Sequence, residues 1–223
     1  GYGEPNNNGK LNYIFHEIVY TYQGGFSNGK KNGKGILFSE DNNYNYDGDW
    51  KNDQFEGYGI LFDHGEKYTG EFKNNLYNGK GTLFLTNGYV LQGNFKNGKA
   101  FGKGEMSKEG GDNYNGDFKN GLFHGKGVMK YKDGGIYNGS FSEGKKKGYG
   151  KHEYSNGDVY EGYFFDDLYN GEGILNKNDG EILKGIFKDG ELVEKIDNLI
   201  LEKDDIFDWG NIDDNEINQK DNN

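Results

Sequence analysis

The sequence predicts an all-β fold: an elongated, single-layer antiparallel sheet of stacked β-hairpins, a repeat solenoid, ending in a short C-terminal helix. Three observations predict it. The phrase Tyr-x-Gly-x-Phe/Trp recurs at a near-constant spacing, and a Gly-x-Gly follows it at a fixed distance. The composition combines 40 glycines and one proline with 16% aromatic residues in a chain only 32% hydrophobic. Glycine at that level without collagen's three-residue period marks either low complexity or a turn-rich repeat. The aromatics argue against disorder, which is poor in them.

The first copy is Tyr22-Gln23-Gly24-Gly25-Phe26, and the phrase begins again at Tyr46, Tyr68, Leu91, Tyr114, Tyr137, Tyr160 and Leu183. The start-to-start spacings are 24, 22 and then 23 five times running, a register rather than a compositional accident. Each of the first seven copies carries its Gly-x-Gly eleven residues on, from Gly33/Gly35 and Gly57/Gly59 to Gly171/Gly173. Most copies close on another glycine: Gly65, Gly88, Gly111, Gly134, Gly157 or Gly180. Gly1 and Gly3 look like the Gly-x-Gly of a truncated upstream copy, which leaves residues 4–21 containing an insertion.

Side chains i, i+2 and i+4 of a strand share a face, so the Tyr, Gly and Phe of each phrase point one way. In the second strand the paired glycines share a face with Leu37, Leu61, Leu83, Met106, Met129, His152 or Leu175. Rings can lie over both glycines, filling the slots left by missing side chains. Segments such as Asn28-Gly29 and Asn120-Gly121 supply residues that tolerate positive φ in a hairpin turn. A lone hairpin is marginal in water, but stacked hairpins pair their edges and make one aromatic face continuous. Eight of them, each advancing the sheet by two strands about 4.8 Å apart, give a ladder on the order of 75 Å long.

This phrase, with Gly-x-Gly at a 23-residue period, resembles the MORN (membrane occupation and recognition nexus) repeat, over residues 1–3 and 22–190. Leu91 and Leu183 depart from the leading Tyr, and Asp53, Asn75 and Asp167 replace a loop glycine, so those loops are expected to adopt a different turn. The resemblance implies a non-catalytic scaffold or adaptor in a cytoskeletal, ciliary or cell-cortex assembly. Such a protein would be cytoplasmic and associated with cytoskeleton or membrane, with homodimerisation through repeat ends among its properties. Radial-spoke head proteins of cilia share the pattern of these repeats followed by an acidic tail. Two alternatives follow from the same family: a phosphoinositide- or phosphatidic-acid-binding module, and a regulatory module of a larger enzyme such as a lipid kinase or histone lysine methyltransferase. The chain opens on Gly1 rather than Met, as expected of a sequence whose N-terminus lies further upstream.

The residues limit the chemistry. A net charge of −11 repels phosphate backbones, so nucleic acid is not an expected partner, and anionic-lipid contact is expected to be weak. With no cysteine there are no disulfides, thiolate metal sites or cysteine nucleophiles. The four histidines show no metal-ligand spacing, and neither a nucleophile elbow nor a phosphate loop is present. Asp205, Gly210, Ile212 and Glu216 fit an EF-hand loop, but Phe207 and Trp209 occupy positions that need oxygen ligands. No enzyme activity, cofactor or metal is expected. The partner site is expected on the aromatic face: Tyr68, Phe72, Phe95, Tyr114, Phe118, Tyr137, Phe141, Tyr160 and Phe164.

Residues 191–223 differ from the array, with 11 acids against 3 lysines. Val193, Ile196, Leu199, Ile200, Ile206 and Phe207 fall near helical spacing, which predicts a helix over 192–207 packed on the last hairpin. That helix either caps the open edge, with Ile196, Leu199, Ile200 and Phe207 turned inward, or the tail docks a partner through a motif around Asp205-Ile206-Phe207-Asp208-Trp209. The organisation expected is residues 1–21, the end of a truncated repeat plus the insertion; 22–190, the array of seven full repeats and a partial eighth; 191–210, the capping or docking helix; and 211–223, an acidic disordered tail.

Overall fold

The computed structural model describes residues 7–201. It is a single open antiparallel sheet of 17 strands, with no helix among the described residues. In chain order these are β1 (Asn7–Phe15), β2 (Ile18–Ser27), β3 (Lys30–Ser39), β4 (Tyr44–Lys51), β5 (Gln54–Asp63), β6 (Glu66–Lys73), β7 (Leu76–Phe84), β8 (Val90–Lys96) and β9 (Lys99–Ser107). They continue with β10 (Asn113–Lys119), β11 (Leu122–Lys130), β12 (Ile136–Ser142), β13 (Lys145–Glu153), β14 (Val159–Phe165), β15 (Leu168–Asn176), β16 (Ile182–Lys188) and β17 (Glu191–Lys195). Each strand pairs with its sequence neighbours, so the chain is one long meander.

The register sets one glycine of every strand from β2 to β16 against the next. Gly24 faces Gly35, Gly35 faces Gly48, and the row runs on through Gly59, Gly70 and Gly81 to Gly173 and Gly185. The result is a furrow without side chains across the whole sheet. The two members of each Gly-x-Gly divide their work, which corrects the expectation that both lie under rings. The second lies in the furrow. The first sits where the hairpin register shifts, at a β-bulge, with positive φ (60° at Gly125, 67° at Gly57). There the acid three residues after the leading Tyr accepts a bulge N–H: Asp49 from Tyr58, Glu71 from Lys80 and Asp117 from Lys126, at 3.0–3.2 Å.

The hairpin turns are uniform even where the sequence suggested otherwise. Asn120-Gly121 has φ of 54° and 83°, while Asn52-Asp53, Asn74-Asn75 and Asp166-Asp167 hold nearly the same pair of values without glycine. Asn and Asp are the L-residues that best tolerate this region. Here each second residue gains a compensating bond: Asp53, Asn75 and Asp167 accept the backbone N–H of Lys31, Phe55 and Lys146 of the preceding hairpin at 2.8–2.9 Å. The turns also bond to one another. The N–H of Gly98, Gly121 and Gly144 donates to the carbonyl of Tyr77, Ala100 and Phe123 at 2.9 Å, extending the ladder beyond the strands.

Both ends of the array correct the sequence reading. Residues 7–15 are not part of an insertion: they form β1, which pairs with β2 and sets Gly9 against Gly24, with a turn at His16-Glu17. Gly1 and Gly3 lie outside the described residues. At the other end the described part of the expected helix, 192–201, holds no helix: Glu191–Lys195 form β17, which pairs with β16 and closes the eighth hairpin, and 202–207 lie outside the described residues. Alternation wins over helical spacing because β16 offers an open ladder, and Leu192 packs against the core beside Phe187. Ile196 and Leu199 are half-buried and Ile200 is 85% exposed, whereas Phe207 and Trp209 lie outside the described residues.

Candidate interaction surface

The glycine furrow explains what becomes of the aromatic residues. With no Cβ beneath it, each leading Tyr ring lies flat along the sheet. An ideal Cβ on Gly127 would stand 2.5 Å from Tyr114 Cε2 and 2.6 Å from its hydroxyl. Each hydroxyl reaches the carbonyl three residues on: Tyr46 donates to Asp49, Tyr68 to Glu71, Tyr114 to Asp117, Tyr137 to Ser140 and Tyr160 to Tyr163, at 2.8–3.0 Å. Burial, and for most of them a nearby carboxylate, pushes these phenols far above their ordinary pKa, so they remain protonated donors.

A second ring closes the other side. Phe55 stacks on Tyr46, Tyr77 on Tyr68, Phe123 on Tyr114 and Tyr169 on Tyr160, with centroids 3.6–3.9 Å apart. Where both repeats lead with Tyr, the Phe or Trp of the phrase stands edge-on to two tyrosines, its own and that of the previous repeat. Phe141, for example, lies 5.1 Å from Tyr137 and 5.2 Å from Tyr114. These edge contacts couple one repeat to the next.

The nine residues expected to receive a partner are therefore the core. Tyr68, Phe72, Phe95, Tyr114, Phe118, Tyr137, Phe141, Tyr160 and Phe164 are all brought together in one cluster, none more than 5% exposed. These nine side chains are not open to a partner, because they lie in the furrow under a covering residue; what that face presents is the partly exposed covering row, with Tyr77, Phe123 and Tyr169. Sequence reasoning missed the covering position, nine residues after the leading Tyr. Its column reads Lys31, Phe55, Tyr77, Ala100, Phe123, Lys146, Tyr169 and Leu192, an aromatic signal broken by two lysines, an alanine and a leucine.

Surface for contact lies elsewhere. On the opposite face of β3–β7, Ile36, Tyr58, Ile60, Phe62 and Phe84 stand 39–55% exposed. The register joins them: Asp47 lies between Ile36 and Ile60, and Lys67 between Phe62 and Phe84. Their phase is visible in the sequence, since they alternate with the furrow glycines and the buried Leu37 and Leu61.

Repeat six carries a polar interruption. Lys146 and His152 are buried among rings, with Lys146 Nζ 3.3 Å from His152 Nδ1 and 5.4–5.7 Å from the rings of Tyr131, Tyr137 and Phe164. Burial and then the Lys146 charge lower His152 to about 4. Burial also lowers Lys146, against the pull of Asp167. A folded-state pKa below the unfolded value near 6.5 means that the neutral imidazole is the stable folded form. This contribution is fully present above pH 6.5 and is lost as pH falls toward 4, on the order of 2–3 kcal/mol in all. His152→Leu should flatten that limb of a stability–pH profile, measured by denaturant titration against wild type. Lys146→Phe with His152→Leu should raise stability at neutral pH by roughly 1–2 kcal/mol, as when buried charged groups give way to packed apolar ones.

Comparison with known proteins agrees with this architecture. The model of the MORN repeat matches residues 22–44, 46–63, 68–88, 92–112, 114–136, 137–159 and 160–182. No curated protein sequence matches the chain.

Proposed function

Because the chain belongs to the MORN-repeat family, we propose that it is a non-catalytic scaffold that binds segments of partner proteins on the outer face of its first three repeats. One observation carries this reading: the nine Tyr and Phe side chains of the repeats named above are buried in the core, yet Ile36, Tyr58, Ile60, Phe62 and Phe84 remain exposed together on the opposite face. Contiguous exposed apolar side chains commonly mark interaction sites. A strand or helix laid across β3–β7 would cover them while the buried furrow keeps the platform stiff. Family resemblance supports a cytoskeletal, ciliary or cell-cortex assembly as the setting.

The test is a pair of full-length chains expressed in cells as proximity-labelling baits, wild type and Ile60→Lys/Phe62→Glu. The variant should lose the partners of the wild type and its place in the cell. Its thermal melt should stay close to wild type, since surface changes away from caps and cores usually fall within about 0.5 kcal/mol. Partners and localisation unchanged in the variant would overturn this surface. Turnover of a defined substrate by the purified chain, abolished by substituting one acid, base or nucleophile, would overturn the non-catalytic reading.

A further inference from the structure

A second surface, at the turn edge and apart from the exposed patch on β3–β7, has a distinct chemistry. The hairpin turns line one long edge, and in repeats three to five that edge is basic within an acidic protein. Lys73, Lys96, Lys99 and Lys119 are all exposed, and none forms an ion pair among the described residues. The segments 73–78, 96–101 and 119–124 contain no Asp or Glu. Glu56, which accepts the Asn74 N–H at 3.2 Å, and Glu143 of the sixth turn mark its two ends. Leu76 and Leu122 stand 47% and 49% exposed in the same row, each within about 4 Å of where a Cβ would sit on the next turn's glycine. Between them lies a shallow cup of about 420 Å³ lined by Lys96, Asn97, Lys99, Ala100, Phe101 and Asn120. Phe101 is 47% exposed, with the Lys96 ammonium 5.4 Å from its ring.

We propose that this turn edge receives the acidic aromatic segment Asp204–Trp209 of a second copy of the chain. The chemistry is complementary. Asp204, Asp205 and Asp208 flank Ile206, Phe207 and Trp209, offering carboxylates to the lysines and rings to the cup. The spacing agrees as well: equivalent lysines on successive hairpins, Lys96 and Lys119, are two strands or about 9.6 Å apart. Asp205 and Asp208, three residues apart, span roughly 10 Å when extended. A chain's own segment falls short of the cup. β17 starts at the turn edge and runs away from it, and the cup at β8–β10 lies seven to nine strands off, roughly 35–40 Å across the sheet. Six residues from Leu201 to Phe207 reach at most about 21 Å. The contact is thus heterologous, tail to turn edge, and can propagate from copy to copy.

Sedimentation velocity of the full chain over a concentration series tests this. Association that rises with concentration, weakens with salt and is competed by a synthetic peptide of residues 202–212 is the expected result. Lys96→Glu/Lys99→Glu and Asp205→Lys/Asp208→Lys should each weaken association at least tenfold, and the chain carrying all four changes should recover it. That recovery separates a contact from misfolding. A wild-type chain that stays monomeric over the whole series overturns the proposal, and so does peptide binding that leaves association unchanged. Co-sedimentation with phosphatidylserine vesicles through Lys96 and Lys99, without self-association, would assign the edge to a membrane and also overturn it.

Discussion

Gly127→Ala is expected to lower the unfolding free energy by about 3 kcal/mol, the upper part of the usual cost of overpacking, and Tyr114→Leu in the same chain to recover most of that loss. The added methyl would stand 2.5 Å from Tyr114 Cε2, 2.6 Å from its hydroxyl and 2.7 Å from Cζ. That ring has nowhere to go, because Phe123 is stacked on its other side at 3.9 Å and its hydroxyl is bonded to the Asp117 carbonyl. The fourth repeat already shows the relieved state. Leu91 stands where the others have Tyr, and a Cβ on Gly93 or Gly104 meets its nearest atoms only at 2.9–3.0 Å. Gly116→Ala provides the control. Its methyl would lie 2.4 Å from the Tyr114 hydroxyl, but also 2.6 Å from Gly127 Cα and 2.7 Å from the Lys126 carbonyl oxygen. The two backbone contacts remain when the ring is removed, so Tyr114→Leu should rescue it only in part. Urea titrations of the wild type, the three single variants and the two double variants give the two coupling energies. Equal coupling in both pairs would mean that the ring is not what the furrow accommodates.

The same furrow shows what the sequence could and could not reveal. Tyr22, Gly24 and Phe26 recur in phase with Gly33 and Gly35, and that register alone specifies hairpins and their stacking. The different duties of Gly33 and Gly35 are not legible, because the bulge shifts pairing by two residues without changing the spacing of letters. The direction of the rings is hidden for a related reason. Period two places Tyr68 and Phe72 on one face, but whether a ring stands out for a partner or lies down on Gly81 depends on the neighbouring strand. The cover that Tyr77 supplies was a visible column whose role needs the register to interpret. At the ends, Gly9 and Leu192 belong to strands that sequence reading assigned to an insertion and a helix, since a single hairpin strand carries too few letters to show its period. The exposed Ile60 and Phe62 were in the correct alternating phase throughout, masked by the stronger signal of the glycines.

Phe118→Ala should cost about 3–5 kcal/mol, and its larger effect should be on cooperativity. The ring is 4% exposed, edge-on to Tyr114 at 5.2 Å and to Phe123 at 5.5 Å, and it lies over Gly104 of the preceding repeat. It therefore joins repeat four to repeat five, where the fourth repeat is already thin because Leu91 and Ala100 replace a Tyr and its covering ring. In a stacked array stability is close to a sum of repeat terms and nearest-neighbour interfaces. Weakening one interface by several kcal/mol in the middle lets the two sides unfold separately, whereas the same loss at an end only lengthens the frayed part. Phe187→Ala, at the last full pair of strands, is the comparison: that ring is equally buried and also edge-on to two rings, Tyr160 and Tyr169, but it stands at the end of the array. Hydrogen exchange on the two variants should show β2–β9 and β10–β17 protecting independently in Phe118→Ala. In Phe187→Ala the loss should be confined to β15–β17. A single cooperative unit in Phe118→Ala, with uniformly reduced protection from β2 to β16, would show that the coupling does not run through this ring over Gly104 but through the backbone ladder itself.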